Sequence, residues 1–255
     1  MNRKIKIRIR SLSVPIGMAL IAICSQSVDA VTVSLQPSQD TSIYSESDNN
    51  NGLGSLYAGE TAAGANFALR RALIQFNVAG SIPAGSTITS VSLTLTLTKN
   101  GPAGTAAFSL NPLLAAWSAG TATGTGGGAV ATPGSATWNY SSFNTNLWAS
   151  AGGAIGPSSG TTDIGTSVGS KYTFASQSGM VADVQGWLDN PGSNFGWALK
   201  AVNESPNNIS AKELGSSEST STARPSLMIT YTIPEPGTPV LLGLGLAAFF
   251  TRRRR

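Results

Sequence analysis

In Ile88-Thr89-Ser90-Val91-Ser92-Leu93-Thr94-Leu95-Thr96-Leu97-Thr98, apolar and hydroxyl residues alternate strictly from Val91 onward. Val91, Leu93, Leu95 and Leu97 point one way; Ser92, Thr94, Thr96 and Thr98 point the other. A period of two sustained over this length is a half-buried β-strand. Turn signals flank it, Ile82-Pro83-Ala84-Gly85 before and Asn100-Gly101-Pro102 after. Segments 31–35, 67–76, 106–114, 171–174, 196–202, 209–214 and 226–232 also read as strands. Many short strands separated by turns predict an all-β fold, a jelly-roll β-sandwich. One short helix is expected over 179–188. There Val181, Val184 and Leu188 recur at helical spacing, and Asn190-Pro191-Gly192 stops the run. The glycine-rich segments 119–134 and 152–169 read as loops, the first of them mobile.

The two ends differ in character from the middle. Arg3, Lys4, Lys6, Arg8 and Arg10 precede an apolar run from Leu12 to Cys24, and Val28-Asp29-Ala30 follows. That order is a secretory signal peptide over 1–30, a signal helix cleaved by signal peptidase after Ala30. An uncleaved N-terminal anchor is the alternative. At the other end Pro234-Glu235-Pro236 leads to an uncharged stretch from Thr238 to Phe250 and then Arg252, Arg253, Arg254 and Arg255. The apolar stretch predicts a C-terminal apolar helix, and it is shorter than the ~20 residues that span a hydrocarbon core unaided. The arginines should stay cytoplasmic and hold the preceding domain outside. A plain membrane anchor is the alternative to a processed tail.

Between these ends, residues 31–233 carry seven basic and ten acidic side chains, so the excess of positive charge belongs to the termini. No basic surface for nucleic acid is implied. The one cysteine, Cys24, falls in the leader, so the middle must be stabilised by a core and not by disulfides. Histidine is absent, which excludes Ser-His-Asp and Cys-His nucleophiles and His-ligated zinc or copper. No sequence feature pairs two carboxylates across a cleft as glycosidases require. Lys171 and Tyr172 are adjacent on an expected strand and so face opposite sides. The chain reads as non-catalytic; a polysaccharide hydrolase or lyase is the weaker alternative.

The tail, with its triplet, apolar run and arginines in order from Pro234 to Arg255, resembles the PEP-CTERM sorting signal. The resemblance implies recognition and removal by a membrane-embedded exosortase. It implies transient anchoring in the inner membrane, then delivery to the cell surface or extracellular matrix of a Gram-negative bacterium that makes exopolysaccharide. The three parts of the chain are then 1–30, 31–233 and 234–255.

A second resemblance is carried by a series of short patterns. These are Asp40-Thr41-Ser42-Ile43-Tyr44, Asn51-Gly52-Leu53-Gly54, Leu56-Tyr57-Ala58-Gly59, Arg70-Arg71-Ala72-Leu73-Ile74-Gln75-Phe76, Ala136-Thr137-Trp138-Asn139, Asn194-Phe195-Gly196-Trp197 and Arg224-Pro225-Ser226-Leu227. In that order they resemble the DNRLRE domain, also described as carbohydrate-binding module family 96. The resemblance implies a β jelly roll that binds polysaccharide, in some members an acidic one. The long glycine segment and the scarcity of basic residues depart from it.

Individual residues follow from these readings. Trp138 and Trp148 flank loops and are candidates to stack on sugar rings, with core filling as the alternative. Trp187 and Trp197 sit among apolar neighbours and are expected in the core. Arg70 and Lys200 are candidates to meet a glycan carboxylate. Arg71 is expected to form a structural pair with a carboxylate such as Glu218, which leaves Arg70 on the opposite face of its strand. Asp40 and Asp48, with Asn49, Asn50 and Asn51, offer oxygen ligands chemically suited to calcium, but their spacing is not that of an EF-hand loop and the Asx-rich stretch favours a solvated turn, with calcium as the alternative. A structural surface protein with no glycan ligand is the second reading of the whole, favoured by the Thr-rich outer face of 88–98.

Overall fold

A computed structural model describes residues 29–234. The expected leader, apart from Asp29 and Ala30, and the tail beyond Pro234 lie outside the described residues. Strands and the helix are numbered in chain order. One layer consists of β1 (Ala30–Leu35), β15 (Ser226–Thr232), β6 (Thr87–Asn100) and β12 (Lys171–Phe174). The other consists of β2 (Gln39–Tyr44), β5 (Leu69–Gln75), β13 (Trp197–Ala201), β7 (Ala106–Pro112) and β11 (Gly160–Ile164). Strands β14 (Lys212–Leu214) and β4 (Leu56–Glu60) connect β6 to β5, so the hydrogen bonding runs from one layer into the next. Short strands β3 (Asn49–Asn50) and β8 (Ala129–Val130) extend β2. A separate hairpin joins β9 (Tyr140–Ser142) and β10 (Asn146–Leu147). Pairing between the named strands is antiparallel throughout. The architecture is an all-β sandwich, as the alternation of residues 91–98 predicts.

The reference strand behaves as its pattern requires. Val91, Leu93, Leu95 and Leu97 are fully buried, while Ser92, Thr94 and Thr98 are half-exposed. Its apolar face meets Phe108, Leu110, Phe174, Trp197 and Ile229 in the main core. The helix α1 (Ser178–Asp189) packs on β6 and buries Met180, Val184, Trp187 and Leu188. Among the described residues no helix is long and apolar enough to cross a membrane.

A second core lies on the other side of β5. Ala72 and Ile74 face the main core, whereas Leu73 joins Ile43, Leu113, Trp117, Ala136, Trp138, Trp148 and Ala198. The long excursion from β7 to β11 supplies five of these side chains and folds over the sheet's outer face. This explains three differences from the sequence reading. Strands β2 and β4 show no alternation because both their faces are covered. The segment 119–134 is tied into the sheet: Ala129 and Val130 pair with β3, and the Gly124 amide donates to Asn51 Oδ1 at 2.7 Å. Residues 160–164, inside the other expected loop, form β11 on the edge of β7.

Candidate functional site

The groove that best fits a ligand lies at the far end of β6. Its volume is about 510 Å³, and Tyr57, Arg70, Lys99, Lys212, Glu213 and Gly126 are among its lining residues. Strand register builds its floor. Glu213 lies opposite Tyr57 on β4 and opposite Lys99 on β6, so a phenol, a carboxylate and an ammonium stand in one row across three strands. Burial and the nearby Glu213 carboxylate push the Tyr57 hydroxyl up to about 12, so it stays protonated as a donor.

Arg70 forms one wall. Its guanidinium carbon stands 5.4 Å from the Tyr44 ring centroid and 5.9 Å from that of Tyr57. Its Nη2 donates to Glu46 Oε1 at 3.1 Å. Arg70 Nε and the Tyr44 hydroxyl are buried without a hydrogen-bond partner. Gly126 closes over this wall. A Cβ there would stand 3.4 Å from Arg70 Nη1, in van der Waals contact with the guanidinium.

Lys212 lines the groove but spends its charge on the scaffold. Its Nζ donates to Asn100 Oδ1 at 2.7 Å and Gly104 O at 2.7 Å, which folds residues 101–104 into a rim. Burial lowers its affinity for the proton. Glu213 is the one carboxylate among the lining residues, so the groove holds no carboxylate pair.

The other sequence candidates are placed elsewhere. Trp138 and Trp148 are buried, 9% and 6% exposed, in the second core. They take the core-filling alternative: the loops they flank fold onto the sheet, and Trp148 Nε1 donates to Thr137 O at 2.8 Å. Arg71 pairs with Glu204, not Glu218, through Nε–Oε1 at 3.0 Å and Nη2–Oε2 at 2.6 Å. Lys200 stands 3.5 Å from the same Glu204 and donates to Ala201 O, so it belongs to this pair and not to the groove. Arg70 alone of the predicted ligand residues lines the groove.

Asp40 and Asp48 are held apart. Asp40 is the second residue of β2, and Asp48 ends the turn between β2 and β3. Ile43 pairs with Asn50, which sets the two aspartates about five residues apart along the ladder, or roughly 17 Å. Asp40 accepts from the Ser217 amide at 2.8 Å and the Ser217 hydroxyl at 3.1 Å. Asp48 accepts from Thr137 Oγ1 at 3.2 Å and Asn139 Nδ2 at 3.3 Å. Among the described residues no cluster of three or more acidic side chains, histidines or cysteines could hold a metal ion. The fold does not bring the two aspartates together, and Asp48 sits in the turn before β3.

Asp40 instead makes the fold sensitive to pH. Burial, aided by the Glu218 charge, pushes its carboxyl up to about 7 against the pull of the two Ser217 donors. Its folded affinity for a proton exceeds that of the unfolded chain. Stability is therefore highest when Asp40 is protonated and falls as pH rises from about 4 through about 7. We expect Asp40→Asn to flatten this fall when urea midpoints are measured across that range. An unchanged pH profile in the variant would place the dependence on another group.

Three groove residues were missed by sequence reading. Tyr57 and Glu213 lie on short strands without alternation, and Lys99 follows the alternating run as an ordinary strand end. Nothing in the spacing of 57, 99 and 213 announces that they share a row.

No curated protein matches the chain. A family profile describing the PEP-CTERM protein-sorting motif matches residues 232–255. That match includes Pro234, Glu235, Pro236 and the four terminal arginines, all but Pro234 beyond the described residues. The tail is thus similar to a PEP-CTERM sorting motif, which marks the chain as an exported surface protein with exosortase as its processing partner and a transient hold on the membrane.

Proposed function

We propose that the sandwich is a non-catalytic module that binds polysaccharide through the groove at the end of β6. The observation that carries this reading is the row of Tyr57, Glu213 and Lys99 beside the Arg70 wall in one cavity of about 510 Å³. A hydroxyl-rich polymer needs donors and acceptors held in place before it arrives, and strand register holds these. Arg70, whose guanidinium lies over the Tyr44 and Tyr57 rings and is steadied by Glu46, offers its remaining Nη1 donor to a carboxylate or hydroxyl. Resemblance of the 31–233 segment to the DNRLRE domain supports the same ligand class. Export by a sorting signal tied to exopolysaccharide production supplies the setting.

Binding of the purified protein to a panel of neutral and acidic polysaccharides tests it. Lys99 is exposed, and we expect Lys99→Ala to leave the fold intact and weaken binding about ten-fold, the equivalent of about 1.4 kcal/mol. Arg70→Ala should weaken it further. Saturable binding insensitive to both substitutions would remove the groove from the reading.

A structural surface role is the second reading, favoured by one observation. The outer face of the β1–β15–β6–β12 layer carries hydroxyl pairs at 2.9 Å, Thr32 with Thr230, Ser34 with Ser226 and Thr94 with Thr173. These groups satisfy one another and need no ligand. Absence of binding to every glycan, with concentration-dependent self-association in sedimentation, would favour that reading.

A further inference from the structure

The register of β6 gives the molecule two unlike poles. At one pole Thr87 pairs with Thr232, and Thr232 pairs with Ala30, so the sorting tail leaves beside the point where β1 begins. At the other pole Lys99 pairs with Glu213 in the groove. Twelve residue steps of a strand separate Thr87 from Lys99, a distance of about 40 Å.

The tail has little slack. Between Ile233 and the apolar run beginning at Val240 there are six residues, Pro234-Glu235-Pro236-Gly237-Thr238-Pro239. Fully extended, they reach at most about 20 Å. While the apolar run is in the membrane, the tail pole stays within that reach of the lipid. The exposed Lys99 and Lys171 lie toward the groove pole, so the short tail, not surface charge, must hold the tail pole inward. Segments 30–34, 77–90 and 230–233 contain no lysine or arginine to grip anionic headgroups. Of the exposed large apolar side chains, Val31 and Ile233 lie together at the tail pole, while Leu53, Leu114, Val130, Leu147, Val168 and Val202 lie on separate elements.

We infer that the tethered precursor stands end-on at the lipid surface, its tail pole inward and its groove outward, so that it binds polysaccharide before exosortase cuts the tail. The binding half of this inference rests on the groove reading above; the orientation half does not. Exosortase cleavage then releases a protein already loaded with its polymer.

The test uses the tethered precursor left after leader removal, residues 31–255, which has no cysteine of its own, reconstituted in vesicles of phosphatidylethanolamine and phosphatidylglycerol. One variant carries Ala84→Cys at the tail pole, and a second carries Gly101→Cys at the groove rim. Residue 84 is exposed, and a Cβ at Gly101 meets nothing within 4 Å. Energy transfer from each fluorescent label to labelled headgroups reports height above the lipid. We expect transfer from position 84 to exceed that from position 101 several-fold. Equal transfer, or greater transfer from position 101, overturns the end-on orientation. Affinity for polysaccharide is expected to agree within a factor of about two before and after co-reconstituted exosortase removes the tail. Binding that appears only after release overturns binding by the precursor. Binding absent in both forms overturns the groove reading, while the labels still decide the orientation.

Discussion

Glu204→Gln is expected to destabilise the domain by about 1.5–3 kcal/mol, the range for hydrogen bonds to a charged group, here in a half-buried ion pair. The Glu204 side chain is 14% exposed and that of Arg71 11%, so water does little to screen them. Both carboxylate oxygens are engaged by Arg71, and Lys200 Nζ stands 3.5 Å away. Removing the charge leaves two cations facing a neutral amide. Arg71→Met should cost less, because Lys200 still compensates Glu204 and the methionine stem can cover Trp138. The Arg71 guanidinium carbon lies 5.0 Å from the Trp138 ring centroid, and Nη1 donates to Gly152 O at 2.7 Å. Gly152 completes the arrangement at φ +85°, where an added Cβ would meet Arg71 Nη1 and Trp138. Urea unfolding of both variants checks the order of the two effects. A cost below about 1 kcal/mol for Glu204→Gln would mean the pair behaves as a surface ion pair.

Trp197→Ala should have an effect of similar or greater size. Trp197 is fully buried at the junction of β13, α1 and the main core. Its ring lies 4.5 Å from Trp187 and 6.5 Å from Phe76 between centroids. Loss of a buried tryptophan costs about 3–5 kcal/mol, and lost aromatic contacts add to it. Trp197 Nε1 also donates to Asp183 Oδ2 at 2.6 Å. Burial raises the Asp183 carboxyl above its usual range, and the Trp197 and Ser159 donors restrain that rise. Trp197→Phe separates the two contributions. It keeps most of the packing and removes the donor, for an expected loss of about 1–3 kcal/mol. Against a typical stability of 5–15 kcal/mol, the alanine variant should show a much lower unfolding midpoint and weakened near-ultraviolet circular dichroism. A phenylalanine variant as unstable as the alanine one would show that the indole hydrogen bond outweighs the packing.

Local chemistry by itself determined a good deal. Strict alternation over residues 91–98 specified β6 and its buried face, because side-chain direction on a regular strand depends only on position parity. Apolar spacing and Asn190-Pro191-Gly192 marked α1 to within a residue at each end. The sorting tail was legible for the same reason: its three parts are consecutive in the chain and act through composition. Sequence also put Arg70 and Arg71 on opposite faces, and the structure sends one to Tyr44 and Tyr57 and the other to Trp138.

Tertiary structure alone decided what covers each face. Strands β2, β4 and β5 lost their alternation because a long excursion buries the outer face of their sheet, and no residue within those strands records that cover. The same fold turned Trp138 and Trp148 from candidate platforms into core. It gave Arg71 a partner 133 residues away, at Glu204, where several carboxylates were equally available to a reader of the sequence. The groove has the same origin. Tyr57, Lys99 and Glu213 come from three strands far apart in the chain, and they meet only because β14 pairs with β4 on one side and β6 on the other. Pairing partners at long range are chosen by the whole core, not by the few residues that end up sharing a site.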